Sequence, residues 1–158
     1  MLRELEGRLE RRDARIAIVG QGYVGLPLAM RAVELGFPVT GYDVDPGRVD
    51  ALAAGLSYVE DVSSEQLAAA IEAGYRATTD PAGLAGFDVA VITVPTPLQE
   101  GVPDLSFIET AAADLVPHLR PGVLVVLEST TYPGTTEELL RPALEQSGQR
   151  AGPDFFLG

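Results

Sequence analysis

The sequence predicts an α/β domain: a doubly wound parallel sheet with helices on both faces, in three α/β/α layers. Two observations predict it. Short runs apolar at every position, such as Arg15–Gly20 (RIAIVG) and Phe87–Val94 (FDVAVITV), alternate with stretches of helical periodicity. A strand apolar on both sides needs cover on both sides, and parallel strands joined by helical crossovers supply it. Such crossovers are right-handed, so helices go to opposite faces as the chain winds in two directions.

The elements follow in order. Residues 1–14 form a lead-in, with Leu2, Leu5 and Leu9 on one face of a helix over 2–12. The sheet domain is expected over 15–158. Its first strand is Arg15–Gly20, followed by a helix over Tyr23–Leu35 that Gly36 stops. Pro27 in that helix has no N–H, which predicts local widening or a water bridge near the Tyr23 carbonyl. Pro38–Asp43 is the second strand. Helices follow over Pro46–Ala54, with Asp45 before Pro46 as its cap, and over Ser63–Ala73, opened by Ser63 or Ser64. Tyr75–Thr78 is the third strand and Phe87–Val94 the fourth. A helix over Asp104–Leu119 leads to the fifth strand, Gly122–Leu127. Thr135–Gln146 is a helix that Pro142 kinks or divides. The sixth strand opens at Asp154–Leu157. Its apolar residues run almost to Gly158, so the sequence reads as a piece of a longer polypeptide.

Composition narrows the chemistry. The chain has 158 residues, the size of one domain. It has no cysteine, which excludes disulfides, thiolate ligands and a cysteine nucleophile. All 11 basic residues are arginine, so no phosphate-loop lysine or Schiff base exists. A single histidine, His118, is too few for a His-rich zinc site, and no metal is expected. A net charge of −12 argues against nucleic acid as a partner. No apolar run is long enough to span a membrane, and the first residues lack a signal-peptide core, so the protein is expected to be cytoplasmic.

The strongest motif is Gly20-Gln21-Gly22-Tyr23-Val24-Gly25, between the first strand and its helix. A GxGxxG alone is weak, but here strand and helix flank it as the chemistry requires. Gly20 allows the tight turn. Gly22 lets a pyrophosphate approach the backbone, and Gly25 lets helix and strand pack closely. Amides near Gly22, Tyr23 and Val24 then face the anion with the helix dipole behind them. Asp43 ends the second strand 18 residues after Gly25, where a carboxylate accepts the two adenosine ribose hydroxyls. It would repel a 2′-phosphate, so the cofactor is NAD rather than NADP. Arg48 opens the next helix and reaches back toward the adenosine. Val94-Pro95-Thr96-Pro97 makes a rigid loop at the carboxyl end of the fourth strand, where ligands bind in open parallel sheets. Glu128–Gly134 lies at the same edge, toward the nicotinamide. That segment also suits a cap for the next helix, through Thr131 or Gly134.

Five segments resemble one family: GQGYVGLPLA at 20–29, GYDVDPGRVDAL at 41–52, VPTPL at 94–98, PDLSFIETAA at 103–112 and LESTTYPGTTEE at 127–138. They are similar to the UDP-glucose/GDP-mannose dehydrogenase family, and most to its UDP-N-acetylglucosamine (or -galactosamine) 6-dehydrogenase branch. The resemblance implies a Rossmann NAD-binding domain. It implies that this domain is part of an enzyme that oxidises the C6 alcohol of a UDP-sugar to the carboxylate with two NAD, for polysaccharide precursors. It implies that Gly22, Tyr23 and Val24 hold the pyrophosphate, Asp43 and Arg48 the adenosine ribose, Val94, Pro95 and Thr96 the nicotinamide ribose, and that Thr130 sits by the nicotinamide. Gly20, Gln21 and Gly25 complete the cofactor set. The family's catalytic cysteine, lysine, asparagine and glutamate have no counterparts here, so no catalytic residue is assigned and the chain alone is expected to be inactive. The parent is expected to be a homo-oligomer. A stand-alone dinucleotide-binding regulatory module is the alternative.

Overall fold

The computed structural model describes residues 1–158. The chain runs α1 (Leu2–Arg11), β1 (Ile16–Val19), α2 (Gly25–Glu34), β2 (Val39–Tyr42), α3 (Pro46–Ala53), α4 (Ser64–Glu72), β3 (Arg76–Thr78) and β4 (Val89–Ile92). A two-stranded hairpin, β5 (Leu98–Gln99) and β6 (Val102–Pro103), precedes α5 (Ser106–Leu115), β7 (Leu124–Leu127), α6 (Arg141–Glu145) and β8 (Phe156–Leu157). The main sheet has six strands in the order β3-β2-β1-β4-β7-β8, and every pairing is parallel. The strand order reverses between β1 and β4, so the loops that follow these two strands diverge and leave a crevice. No helix is long and apolar enough to cross a membrane.

Alternate residues of β1 explain the three layers. Ile16 and Ile18 point into one core with Leu26, Met30 and Val33 of α2 and Leu67 of α4. Ala17 and Val19 point into the other, with Ile108 and Leu115 of α5, Leu144 of α6 and Phe155. Ala17 and Ala90 are the small strand residues of this second core. Ser63 and Asp45 cap α4 and α3 as their side chains predict: Ser63 accepts from Gln66 N–H, and Asp45 from Gly47 and Arg48 N–H.

Several details differ from expectation. The helix expected over 104–119 stops at Leu115, and the chain tightens into a 3-10 turn over Val116–His118 because Pro117 has no N–H to continue the ladder. Pro27 causes no widening: α2 is regular, with Leu26 N–H bonded to Gly22 O and Leu28 N–H to Val24 O on either side of the carbonyl Pro27 cannot reach. The widening occurs at Pro142 instead, where a π turn over Thr136–Leu140 precedes α6. That segment begins without a side-chain cap from Thr131; the Gly134 carbonyl accepts from Glu138 N–H at 2.8 Å, and Thr135 Oγ1 donates back to Tyr132 O at 2.9 Å. The β5–β6 hairpin, unforeseen, turns at Glu100 and Gly101, both at positive φ.

The lead-in helix is tied to the amino ends of the strands through Asp88, whose side chain is 4% exposed. Asp88 accepts from Arg8 Nη1 at 2.9 Å, from Arg15 N–H at 2.8 Å and from Arg120. Water reaches both arginines, so the ion pairs are worth less than a fully buried set. Replacing Asp88 by Ala leaves the Arg15 amide unpaired and Arg120 without an acid, while Arg8 keeps only its longer pair with Asp13 at 3.5 Å. A loss of about 2 kcal/mol in urea denaturation is expected.

Candidate functional site

The three glycines of the first turn do three different things. Gly20 sits at φ +96°, which a side chain rarely adopts, and an added Cβ would lie 3.0 Å from the Thr93 carbonyl. Gly25 lies directly on that turn: a Cβ there would be 1.8 Å from Gly20 O and 2.5 Å from Thr93 Oγ1. Gly22 faces open space, with only Arg48 at 3.8 Å from a would-be Cβ. The N–H groups of Gly22, Tyr23 and Val24 donate to no backbone carbonyl. Tyr23 and Val24 are themselves exposed. The start of α2 is therefore a row of free donors beside a cradle with no side chain in it, which fits a diphosphate. Thr93, absent from the sequence reading, secures the turn by donating to Gly20 O at 2.8 Å.

Asp43 is 5% exposed and lies just past β2. Its Oδ2 accepts from Gln21 N–H at 2.8 Å and lies 3.4 Å from Arg48 Nη1, while Oδ1 accepts from Asp45 N–H at 3.0 Å. The carboxylate is thus fixed against the glycine turn. Arg48 stacks over the Tyr58 ring, 5.8 Å from its centroid, and Tyr58 donates to Gln21 O at 2.6 Å. Burial, and after it the nearby Asp43 charge, push the Tyr58 phenol up to about 12, so it remains a donor at neutral pH.

Gln21 requires a correction. It was grouped with the cofactor contacts, yet it is fully buried and every polar group it has is engaged by the protein. Its N–H goes to Asp43, its carbonyl accepts from Tyr58, its Nε2 donates to Ile18 O at 2.9 Å, and its Oε1 accepts from Tyr75 at 2.7 Å. Gly41 of β2 makes room for this pair: a Cβ there would lie 2.5 Å from Gln21 Oε1 and 2.6 Å from the Tyr75 hydroxyl. Gln21 braces the turn from behind. Gly25 acts in the same way, through packing alone.

A cavity of about 570 Å³ opens between the carboxyl ends of β1, β2 and β4 and one face of α5. Gly20, Asp43, Arg48, Val94 and Pro95 line it. Its far wall is a stripe that the sequence reading left without a role: Ser106, Phe107, Thr110, Ala111 and Asp114. Their spacing puts them on one helical face, which was the available signal. Thr96 and Thr130 meet outside this cavity, where Thr96 Oγ1 donates to Thr130 O, and Ser129 Oγ donates to Val94 O at 2.8 Å. The loops after β4 and β7 are therefore joined to each other beyond the carboxyl ends of these strands.

Comparison with known proteins agrees with this geometry. The description "UDP-glucose/GDP-mannose dehydrogenase family, NAD binding domain" matches residues 14–157. The chain is 40% identical over 151 residues to a UDP-N-acetyl-D-glucosamine 6-dehydrogenase of Pseudomonas aeruginosa, covering 93% of this chain and 35% of that protein. It is 36% identical over 145 residues to a UDP-N-acetyl-D-mannosamine dehydrogenase of Pyrococcus horikoshii, covering 90% and 35%. Among solved structures, a ternary complex of a GDP-mannose dehydrogenase from Pseudomonas aeruginosa superposes with a TM-score of 0.84 at 34% identity, over 90% of this chain and 35% of that one. The chain spans about a third of the length of these relatives.

Two substitutions test the turn. Gly25→Ala must push α2 off the Gly20 carbonyl; a loss of about 3 kcal/mol or outright failure to fold is expected in thermal denaturation. Tyr75→Phe leaves Gln21 Oε1 buried without its donor and is expected to cost about 1–3 kcal/mol by the same measurement.

Proposed function

The chain belongs to the UDP-glucose/GDP-mannose dehydrogenase family as its NAD-binding domain, and from that premise we propose that it is the cofactor half of a UDP-sugar 6-dehydrogenase. The parent enzyme oxidises the C6 alcohol of a UDP-sugar to the uronate for polysaccharide precursors. It works in the cytoplasm as a homo-oligomer. The domain by itself holds NAD and turns over no sugar, since it supplies no thiol for covalent catalysis.

When bound, NAD supplies the hydride acceptor. The chain's own residues orient it. The amides of Gly22, Tyr23 and Val24 receive the diphosphate, aided by the positive end of α2. Asp43 receives the adenosine ribose, with Arg48 beside it. The two prolines after β4 hold Val94, Pro95 and Thr96 in one conformation for the second ribose. Thr130, whose carbonyl accepts from Thr96, is assigned to the nicotinamide end. The observation that carries this reading is the juxtaposition of a buried, oriented carboxylate with a row of free amides: Asp43 is bonded directly to the turn, through Gln21 N–H.

The same carboxylate decides between NAD and NADP. A 2′-phosphate placed against it would meet a like charge. Arg48, the one cation that could offset this, is already paired with Asp43. Calorimetric titration of the chain is expected to show NAD preferred over NADP by about tenfold or more. Asp43→Ala should weaken NAD and shrink that preference. Equal affinity for the two dinucleotides in the unaltered chain would overturn the assignment.

A further inference from the structure

The cavity that Asp43 and Asp45 line on one side carries a third carboxylate on α5. Asp114 lies near the carboxyl end of α5 and lines the cavity with Thr110 and Ala111. Its Oδ2 accepts from the Tyr42 hydroxyl at 2.7 Å. Tyr42 is 3% exposed, and its phenol is raised from its ordinary range by burial first and by Asp114 second, so it stays a donor. This bond spans β2 and α5 and fixes the direction of the carboxylate. The remaining oxygen, Oδ1, takes no hydrogen bond from the protein.

Most other polar groups of the cavity are engaged; the Ser106 hydroxyl, at the amino end of α5, is a further open one. Asp43 accepts through both oxygens. Asp45 caps α3 and pairs with Arg48. The Thr110 hydroxyl donates within its own helix, to Ser106 O at 2.9 Å. Asp114 is thus a purely accepting group, held on one side by Tyr42 and open on the other, in the cavity that Asp43 also lines. A carboxylate in that state suits a ligand that presents N–H and repels one that presents a carbonyl.

We infer that Asp114 reads the 6-position of the purine, its Oδ1 accepting from the exocyclic amine of adenine and disfavouring a 6-oxo purine. This deepens the NAD reading and rests on it. Asp43 would exclude a phosphate at the ribose, and Asp114 a carbonyl at the base. Tyr42 is the positioning residue: it holds Asp114 without touching the nucleotide's reading edge.

The test compares NAD with nicotinamide hypoxanthine dinucleotide, which carries a carbonyl in place of that amine and a proton on N1 in place of a lone pair. Calorimetry on the unaltered chain is expected to give NAD an advantage of about tenfold. Asp114→Ala should bring the two ligands to within about twofold. Asp114→Asn keeps the shape and a bond to Tyr42, and should likewise erase the preference because its amide offers donor and acceptor alike. Tyr42→Phe should retain a reduced preference for the amine. If Asp114→Ala does not fold, as judged by circular dichroism, the Asn variant decides. The inference is overturned if the unaltered chain binds both dinucleotides equally. It is also overturned if the Asp114 variants lose affinity for both in equal proportion, which is what a purely structural tie would do. Failure of the unaltered chain to bind NAD would instead overturn the proposed function, and this inference with it.

Discussion

The closeness of one helix to one strand end governs the site. Gly25 brings the first turn of α2 so near Gly20 O that a single methyl group would collide with it. Because the helix starts there, its unbonded amides open at the switch point of the sheet, where β1 and β4 part. The braces around the turn all serve this contact. Thr93 holds Gly20 O from the β4 side, Gln21 holds the backbone from below, and Asp43 draws the Gln21 amide toward β2. The position of the Asp43 charge and the direction of the α2 dipole are thereby set by one piece of packing rather than by flexible side chains.

Much of this was legible in the residues themselves. The glycine spacing, the flanking apolar strand and the acid 18 residues on are local signals, and each acts through backbone geometry that a sequence states directly. Asp45 and Ser63 could be read as caps for the same reason. What escaped depends on contacts distant in the chain. Nothing near Gln21 reveals that Tyr58 and Tyr75 will engage its carbonyl and its side chain, 37 and 54 residues later. Gly41 looks like an ordinary weakness in a strand until that pair occupies the space above it. The role of Asp114 is hidden likewise, since its partner Tyr42 lies 72 residues earlier. The β5–β6 hairpin was missed because strands of two residues carry no periodicity.

The prolines teach a related lesson. Pro27, Pro117 and Pro142 each remove one helical donor, yet only the last is accompanied by a widened turn. Pro27 falls in the first turn, where the ladder is barely begun. Pro117 follows the last full turn of α5, and the chain simply tightens. Pro142 falls inside a run that is helical on both sides, so the backbone has to absorb the missing bond without stopping.

The sheet separates two apolar layers that share no residue: one built on Ile16, Ile18 and α2, the other on Ala17, Val19, α5 and Phe155. The strands act as a partition. Volume gained or lost on one side can be relieved among the neighbours on that side, and the other layer feels it only through the backbone between them. Free-energy changes from paired substitutions in opposite layers should therefore come close to simple summation, while pairs within one layer should not. The domain can accordingly vary its interior one half at a time and still present the same turn to its dinucleotide.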